Sequence, residues 1–191
     1  MDDAVRAALA RWPNVPDVYG WLSLDRRGRW RIKGEVVSNA ALAAFIGRNY
    51  DVDARGCWYF QNGPQRVFVA LEYTPWILRL AAPGRLETHT GLPVEHPRRA
   101  WLDEEGNLLI DIGNDLGPGG MGLVCDRDLA ALIEGLTLAD GSAADTETLE
   151  RILAQGSIPP GVELRLQGFG APLPVTFAST AEIQRLSGHE P

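Results

Sequence analysis

The chain has 191 residues, 45% of them apolar, and only two cysteines, Cys57 and Cys125. That length supports one ordinary domain or two small ones with a real core and needs no disulfide framework. The net charge of −7 argues against a general affinity for nucleic acid, which requires clustered cations.

Lys33 is the sole lysine, so arginine supplies the remaining positive charge. The N-terminus, Met1-Asp2-Asp3, is acidic and lacks the apolar run of a secretory signal. No stretch approaches the roughly 20 apolar residues that span a bilayer. The expected location is the cytoplasm, with no membrane partner and with both cysteines as buried thiols.

A first helix is predicted over 2–11, with Val5, Ala8, Leu9 and Trp12 near one face, stopped by Pro13 and Pro16. A hairpin follows. Leu22 and Leu24 alternate with polar neighbours, as do Trp30 and Ile32, around a turn at Asp25 to Gly28. Ser38 is the expected cap of a helix whose apolar stripe is Leu42, Phe45 and Ile46, ending at Gly47 or Asn49. Trp58 to Gln61 and Gln65 to Leu71 flank Asn62-Gly63, a strong hairpin signal. Trp76 to Leu80 reads as a strand, and Ala81 to Gly84 as a sharp turn or a boundary.

The second half opens with a strand at Leu86 to Thr90. A hairpin of Ala100 to Leu102 and Leu108 to Ile112, around Asp103 to Gly106, echoes the first one. A glycine-rich stretch, Gly117 to Gly122, precedes Leu123-Val124 and a helix from Asp126 through Leu136. Thr146 to Ala154 is a helix stopped by Gly156. Val162 to Leu166 and Leu173 to Phe177 are strands, and Ser179 to Glu182 is a capping box for a last helix.

Strands outnumber helices and their short links suit antiparallel pairing, so the expected class is α+β, with two similar lobes from an internal duplication. The lobes are expected at 1–82 and 83–191, with an extension after 137.

Chemistry is sparse. Gly117-Pro-Gly119-Gly-Met-Gly122 matches a phosphate-cradling pattern, but no lysine follows it and Pro118 lacks an amide donor, so it reads as a flexible loop. Glu87, His89, Glu95 and His96 are close enough in sequence to ligate a metal, but lack a tight ligand spacing. On this ground a metal-dependent hydrolase using Glu87, His89 and His96 stands only as an alternative. No Gly-x-Ser-x-Gly elbow is present. Cys57 precedes an apolar strand and reads as structural. The acids Asp103, Glu104, Glu105, Asp111 and Asp115 read as turn and surface charges. His96-Pro-Arg98-Arg99 is a dense positive patch suited to a phosphate or carboxylate. Trp58 and Trp76 are candidates for stacking, though aromatics at strand spacing more often build a core.

Leu22 to Trp30, Trp58 to Leu71, Glu72 to Leu80 and Glu95-His96-Pro97 together resemble an uncharacterised proteobacterial domain-of-unknown-function family. The resemblance covers about Tyr19 to Leu136, and departs at the glycine-rich stretch and the extension beyond Leu136. It implies a duplicated small α+β core and a second half loosely like a pleckstrin-homology fold. It also implies a ligand site between the halves, for a nucleotide-like molecule, and a signalling role. It carries over no catalytic residue.

The reading that follows is a non-enzymatic, cofactor-free protein that binds a small anion between two lobes. His96, Arg98 and Arg99 would supply charge, and Trp58 or Trp76 stacking. A protein-interaction module is the alternative.

Overall fold

The computed structural model describes residues 1–113 and 120–187. The first lobe runs α1 (Asp3–Arg11), β1 (Val18–Leu24), β2 (Trp30–Ile32), β3 (Glu35–Val36), α2 (Ala40–Arg48), β4 (Tyr50–Val52), β5 (Trp58–Asn62), β6 (Gln65–Leu71). A connecting group follows: β7 (Trp76–Ala82), β8 (Arg85–Thr88) and β9 (Pro93–Val94). The second lobe runs β10 (Ala100–Leu102), β11 (Leu108–Asp111), β12 (Met121–Val124), α3 (Asp126–Ile133), β13 (Leu136–Leu138), α4 (Thr146–Gln155), β14 (Leu164–Leu166), β15 (Leu173–Phe177), α5 (Thr180–Ser187).

The fold is α+β and duplicated. One sheet has the order β3-β2-β1-β6-β5-β4, and the other contains β13-β14-β15-β10-β11-β12 followed by β7-β8-β9. Each unit is therefore three strands, a helix and three more strands, closed by a parallel pair between its first strand and its last. Leu24 pairs with Leu71 in one lobe, and Leu102 with Phe177 in the other. The second unit differs by the insertion of α4 between β13 and β14. A further parallel pair, β7 with β12, attaches the connecting strands to the second sheet. The change of sheet thus falls between Leu71 and Trp76, and Ala81 to Gly84 is the β7–β8 hairpin turn rather than a boundary.

The Asp-x-x-Gly signal marks one repeated turn. Asp25 Oδ1 accepts the backbone N–H groups of Arg27 and Arg29 at 3.0 and 2.9 Å. Asp103 Oδ1 accepts those of Glu105 and Asn107 at 3.0 and 2.8 Å. Asp53, in the β4–β5 hairpin, does the same for Arg55 and Cys57 at 2.9 and 3.0 Å. An aspartate that accepts from amides two and four residues on replaces the hydrogen bonds a tight turn leaves unmade. The fourth residue of each turn has positive φ, at Gly28 (74°), Gly56 (86°) and Gly106 (78°), a conformation glycine adopts without a Cβ clash. Asp103 is fully buried (0%), so it is not the surface acid the sequence implied.

Side chains sort by strand alternation. Leu108 and Ile110 of β11 join Leu132 of α3 and Ile152 of α4 in one apolar cluster. Leu109, between them, joins Leu22, Leu24, Trp30 and Phe60 of the first sheet in another. The centre of the second sheet is covered on both faces, which explains its unbroken apolar strands. Helix ends depart from expectation by one to three residues. Asn39, not Ser38, caps α2 by accepting from Leu42 N–H at 3.0 Å. α3 begins at Asp126 after Cys125 and ends at Ile133, leaving Leu136 to open β13. The Ser179–Glu182 box forms as expected. Cys125 is buried and Cys57 half-buried, both as free thiols.

Of the glycine-rich motif, Gly117 to Gly119 lie outside the described residues, as do Asp115 and His189. Gly122 sits in β12, where an added Cβ would stand 2.5 Å from Leu78. It permits the close β12–β7 approach.

The repeated turn gives a direct test. Asp103 also accepts from Tyr73 Oη at 2.7 Å and Asn107 Nδ2 at 2.8 Å. Asp103→Ala leaves these buried donors unmatched and should lower stability in urea by about 2–4 kcal/mol. A loss below about 0.5 kcal/mol, the range of neutral surface changes, would contradict this role.

Candidate functional site

The turn at Asp25 is also the hook between the lobes. Burial pushes the Asp25 carboxyl up, but Arg29 through its backbone and side chain, then Arg27 and Arg31, outweigh this and hold it below the usual carboxylate range. The carboxylate so fixed points the tip of the turn at the second lobe. Arg26 pairs with Glu105. Arg27 donates from Nε and Nη2 to Asp126 Oδ2 at 2.9 and 2.7 Å. Gly28 fits so closely against the end of β8 that an added Cβ would lie 2.6 Å from Cβ of His89, the residue after that strand.

Beside this contact lies a cavity of about 430 Å³. Its walls are the β1–β2 hairpin (Gly28, Arg29, Trp30), the small side chains of α2 (Ala40, Ala43, Ala44, Gly47), and Arg79 with Glu87 to Gly91. Small residues on α2 leave the space, and the connecting strands supply the polar groups.

His89 sits against the rings of Trp30, Tyr50 and Trp76, with centroids at 5.1, 5.8 and 5.8 Å. Its Nδ1 accepts from Ile77 N–H at 3.4 Å, a long bond. The neutral ring therefore carries its proton on Nε2, and that buried atom has no acceptor among the described residues. Burial and then the charge of Arg79 push the His89 pKa down to about 3. Arg79 donates from Nη2 to Arg27 O at 3.3 Å. Its buried Nε–H has no acceptor, and among the described residues it makes no ion pair. Glu87 faces Arg79 across the β7–β8 ladder, and Arg29 is tied to Asp25 at 2.7 Å. The Thr88 and Thr90 hydroxyls bond to each other at 2.8 Å. Two N–H donors without acceptors among the described residues, one on a cation, thus belong to side chains that line one cavity. Buried donors in that state cost free energy until an acceptor arrives.

A family model described as "Protein of unknown function (DUF2946)" matches residues 1–188. The chain belongs to that family. A solved structure of a DUF1285 family protein from Silicibacter pomeroyi DSS-3 is similar at 15% identity, with a TM-score of 0.48, covering 97% of this chain and 100% of that one. Among curated proteins nothing matches. Neither similarity speaks to a pleckstrin-homology-like half, and membership in the family carries no activity to this chain.

The residues singled out from sequence lie elsewhere. His96, Arg98 and Arg99 are exposed between β9 and β10. The backbones of Arg98 and Arg99 extend the β10–β11 ladder through Asp111, and the Arg99 guanidinium stands 6.0 Å from the Trp101 ring. Trp58 and Trp76 are each 3% exposed and pack edge to face at 5.2 Å, so neither offers a free face for stacking. None of these five residues lines the cavity. Glu87 and His89 both line it but His96 does not, and no group of three His, Cys, Asp or Glu among the described residues is placed to hold a metal. A larger groove of about 880 Å³ lies along β14, β15 and the loop before them. Its Arg165 is paired with Glu163 at 3.3 Å. No described helix is long and apolar enough to cross a membrane.

The state of His89 has a measurable consequence. Its folded pKa lies below the unfolded value near 6.5, so the unfolded chain takes up the proton first and stability falls as pH drops from that value toward 3. Urea titrations should show wild type losing up to about 1.4 kcal/mol per pH unit more than His89→Gln across this window. Parallel profiles would mean that His89 is solvated and titrates normally.

Proposed function

We propose that this protein is a non-enzymatic binder of a small anion, and that the anion occupies the cavity between the β1–β2 hairpin, α2 and the β7–β9 strands. The observation that supports this is the presence of Arg79 and His89 in one cavity wall, each with a buried N–H group, Nε–H and Nε2–H, that lacks an acceptor among the described residues. Arg79 would meet a phosphate or carboxylate oxygen with charge. His89 would donate as a neutral imidazole, adding direction without a second positive charge. The Thr88 and Thr90 hydroxyls can rotate to meet further oxygens. A volume of about 430 Å³ falls in the range of pockets for small molecules. Because the cavity lies between the first lobe and the β7–β9 strands, which are attached to the second sheet, occupancy would bias how firmly they dock, which is the physical content of a regulatory role.

The test is a thermal-shift screen with inorganic phosphate, pyrophosphate, citrate, and adenine and guanine nucleotides. A ligand at about 100 times its Kd adds about 2.7 kcal/mol of apparent stability. At least one member should raise the Tm of wild type, and Arg79→Gln should remove that rise while keeping the ligand-free fold. Arg98→Gln, outside the cavity, should keep it. A screen in which no anion shifts wild type, or in which Arg79→Gln responds like wild type, would dispose of this reading.

A further inference from the structure

The two lobes are stacked in one sense. Trp101 precedes Leu102 as Ser23 precedes Leu24, so the two side chains mark matching faces of their sheets. In the second lobe that face, with Trp101, Leu109 and Leu123, is buried by the first lobe. In the first lobe the matching face is open only at β1, since Tyr59 and Phe68 on it are buried (6% and 7%). Tyr19 and Trp21, alternate residues of β1, are 60% and 54% exposed on it.

The open face carries an ordered row. Asp51 on β4 pairs with Tyr59 on β5, and Tyr59 with Phe68 on β6. Tyr19 stacks on Phe68 at 4.7 Å with ring planes 1° apart. Trp21 comes next on β1, and Lys33 Nζ lies 4.2 Å from its ring centroid. The sheet order places Asp51 near one edge and Lys33 near the other. Both are exposed and neither has an ion-pair partner among the described residues. Arg55 and Arg66 stand against Phe68 and Tyr59 at 5.7 and 4.9 Å and help hold the rings in place.

An acid at one end, a cation at the other and the exposed rings of Tyr19 and Trp21 between them, carried on the buried Phe68 and Tyr59, form a self-complementary pattern. A two-fold axis running along the strands in the contact plane exchanges the two edges. It sets Lys33 of each copy over Asp51 of the other, with the rings meeting in the middle. We infer that this face binds the same face of a second copy of the chain as an isologous dimer. Exposed Tyr, Trp and Arg are the residues enriched in protein–protein contacts. The net charge of −7 disfavours a nucleic acid strand on the same rings. The six strands hold 27 residues, which at about 3.3 Å rise and about 4.8 Å spacing cover about 430 Å² per copy, the size of a weak contact. The dimer is therefore a concentration-dependent one.

Sedimentation velocity across the micromolar range tests this on the full chain. Wild type should shift from monomer to dimer. Lys33→Glu and Asp51→Lys should each weaken the dimer by about tenfold or more, since each sets like charges opposite one another. An equimolar mixture of those two variants should pair again, because each then meets its opposite. Trp21→Lys, at an exposed position, should stay monomeric with an unchanged circular dichroism spectrum. Wild type that stays monomeric to its highest soluble concentration overturns the inference. So does a dimer indifferent to all three substitutions, or one that the mixture fails to restore.

Discussion

A carboxylate folded back onto its own turn is the constraint from which the rest follows. At Asp25 and Asp103 the side chain replaces hydrogen bonds that the chain reversal breaks, and in both it is almost removed from water. A buried charge is tolerable only when hydrogen-bonded on every side. The turn is therefore held in one conformation, and with it the register of the strands that enter and leave. Leu22 opposite Ile32 and Ala100 opposite Ile110 put apolar side chains on one face because these turns do not slip. The lobe contact uses the same device. Tyr73, just beyond the first lobe's last strand, donates to Asp103 of the second, and the loop of the Asp25 turn reaches Glu105 and Asp126. Fold and docking thus share a small set of groups.

The cavity is a by-product of this docking that has kept polar character. α2 meets the β8–β9 loop through alanines and glycine, so the walls stay apart. Thr90 lies 3.3 Å from where a Gly47 Cβ would be. The aromatic cluster of Trp30, Tyr50, Trp58 and Trp76 stands behind His89 and keeps its ring neutral by excluding water. Tyr50 shows the same environment, its hydroxyl pushed well above the ordinary tyrosine range by burial. A neutral donor beside a permanent cation is a mixed hydrogen-bonding surface that neither group makes alone.

Much of the architecture is legible in the residues. The Asp-x-x-Gly turns, the Asn62-Gly63 hairpin and the Ser179–Glu182 box are local signals whose physics does not depend on distant parts of the chain, and they mark real elements. The duplication shows through the echo of Asp25 to Gly28 in Asp103 to Gly106. The parallel closures β1–β6 and β10–β15 do not, because pairing between strands remote in sequence leaves no local trace. Short strands such as β3, β4 and β13 carry too few residues for a period. The site was hard to read for a related reason. Arg98 and Arg99 are conspicuous as a charged pair, but they sit in water. Arg79 is a single cation inside the run Trp76-Ile-Leu-Arg-Leu80, and its place in the cavity wall comes from β8 and the Gly28 turn folding against it. A charge that interrupts an otherwise apolar strand was the available signal.

The parallel closures also set an order of events during synthesis. Leu24 has no partner on one side until Leu71 has left the ribosome, and Leu102 must wait for Phe177, with the whole of α4 made in between. Until then β1, and later β10, is a strand with one naked edge, the kind of surface that recruits foreign chains. The first unit closes after the shorter wait and then offers a finished apolar surface to the strands of the second as they emerge. Assembly from the amino end would use the earlier copy as the template on which the later one is laid.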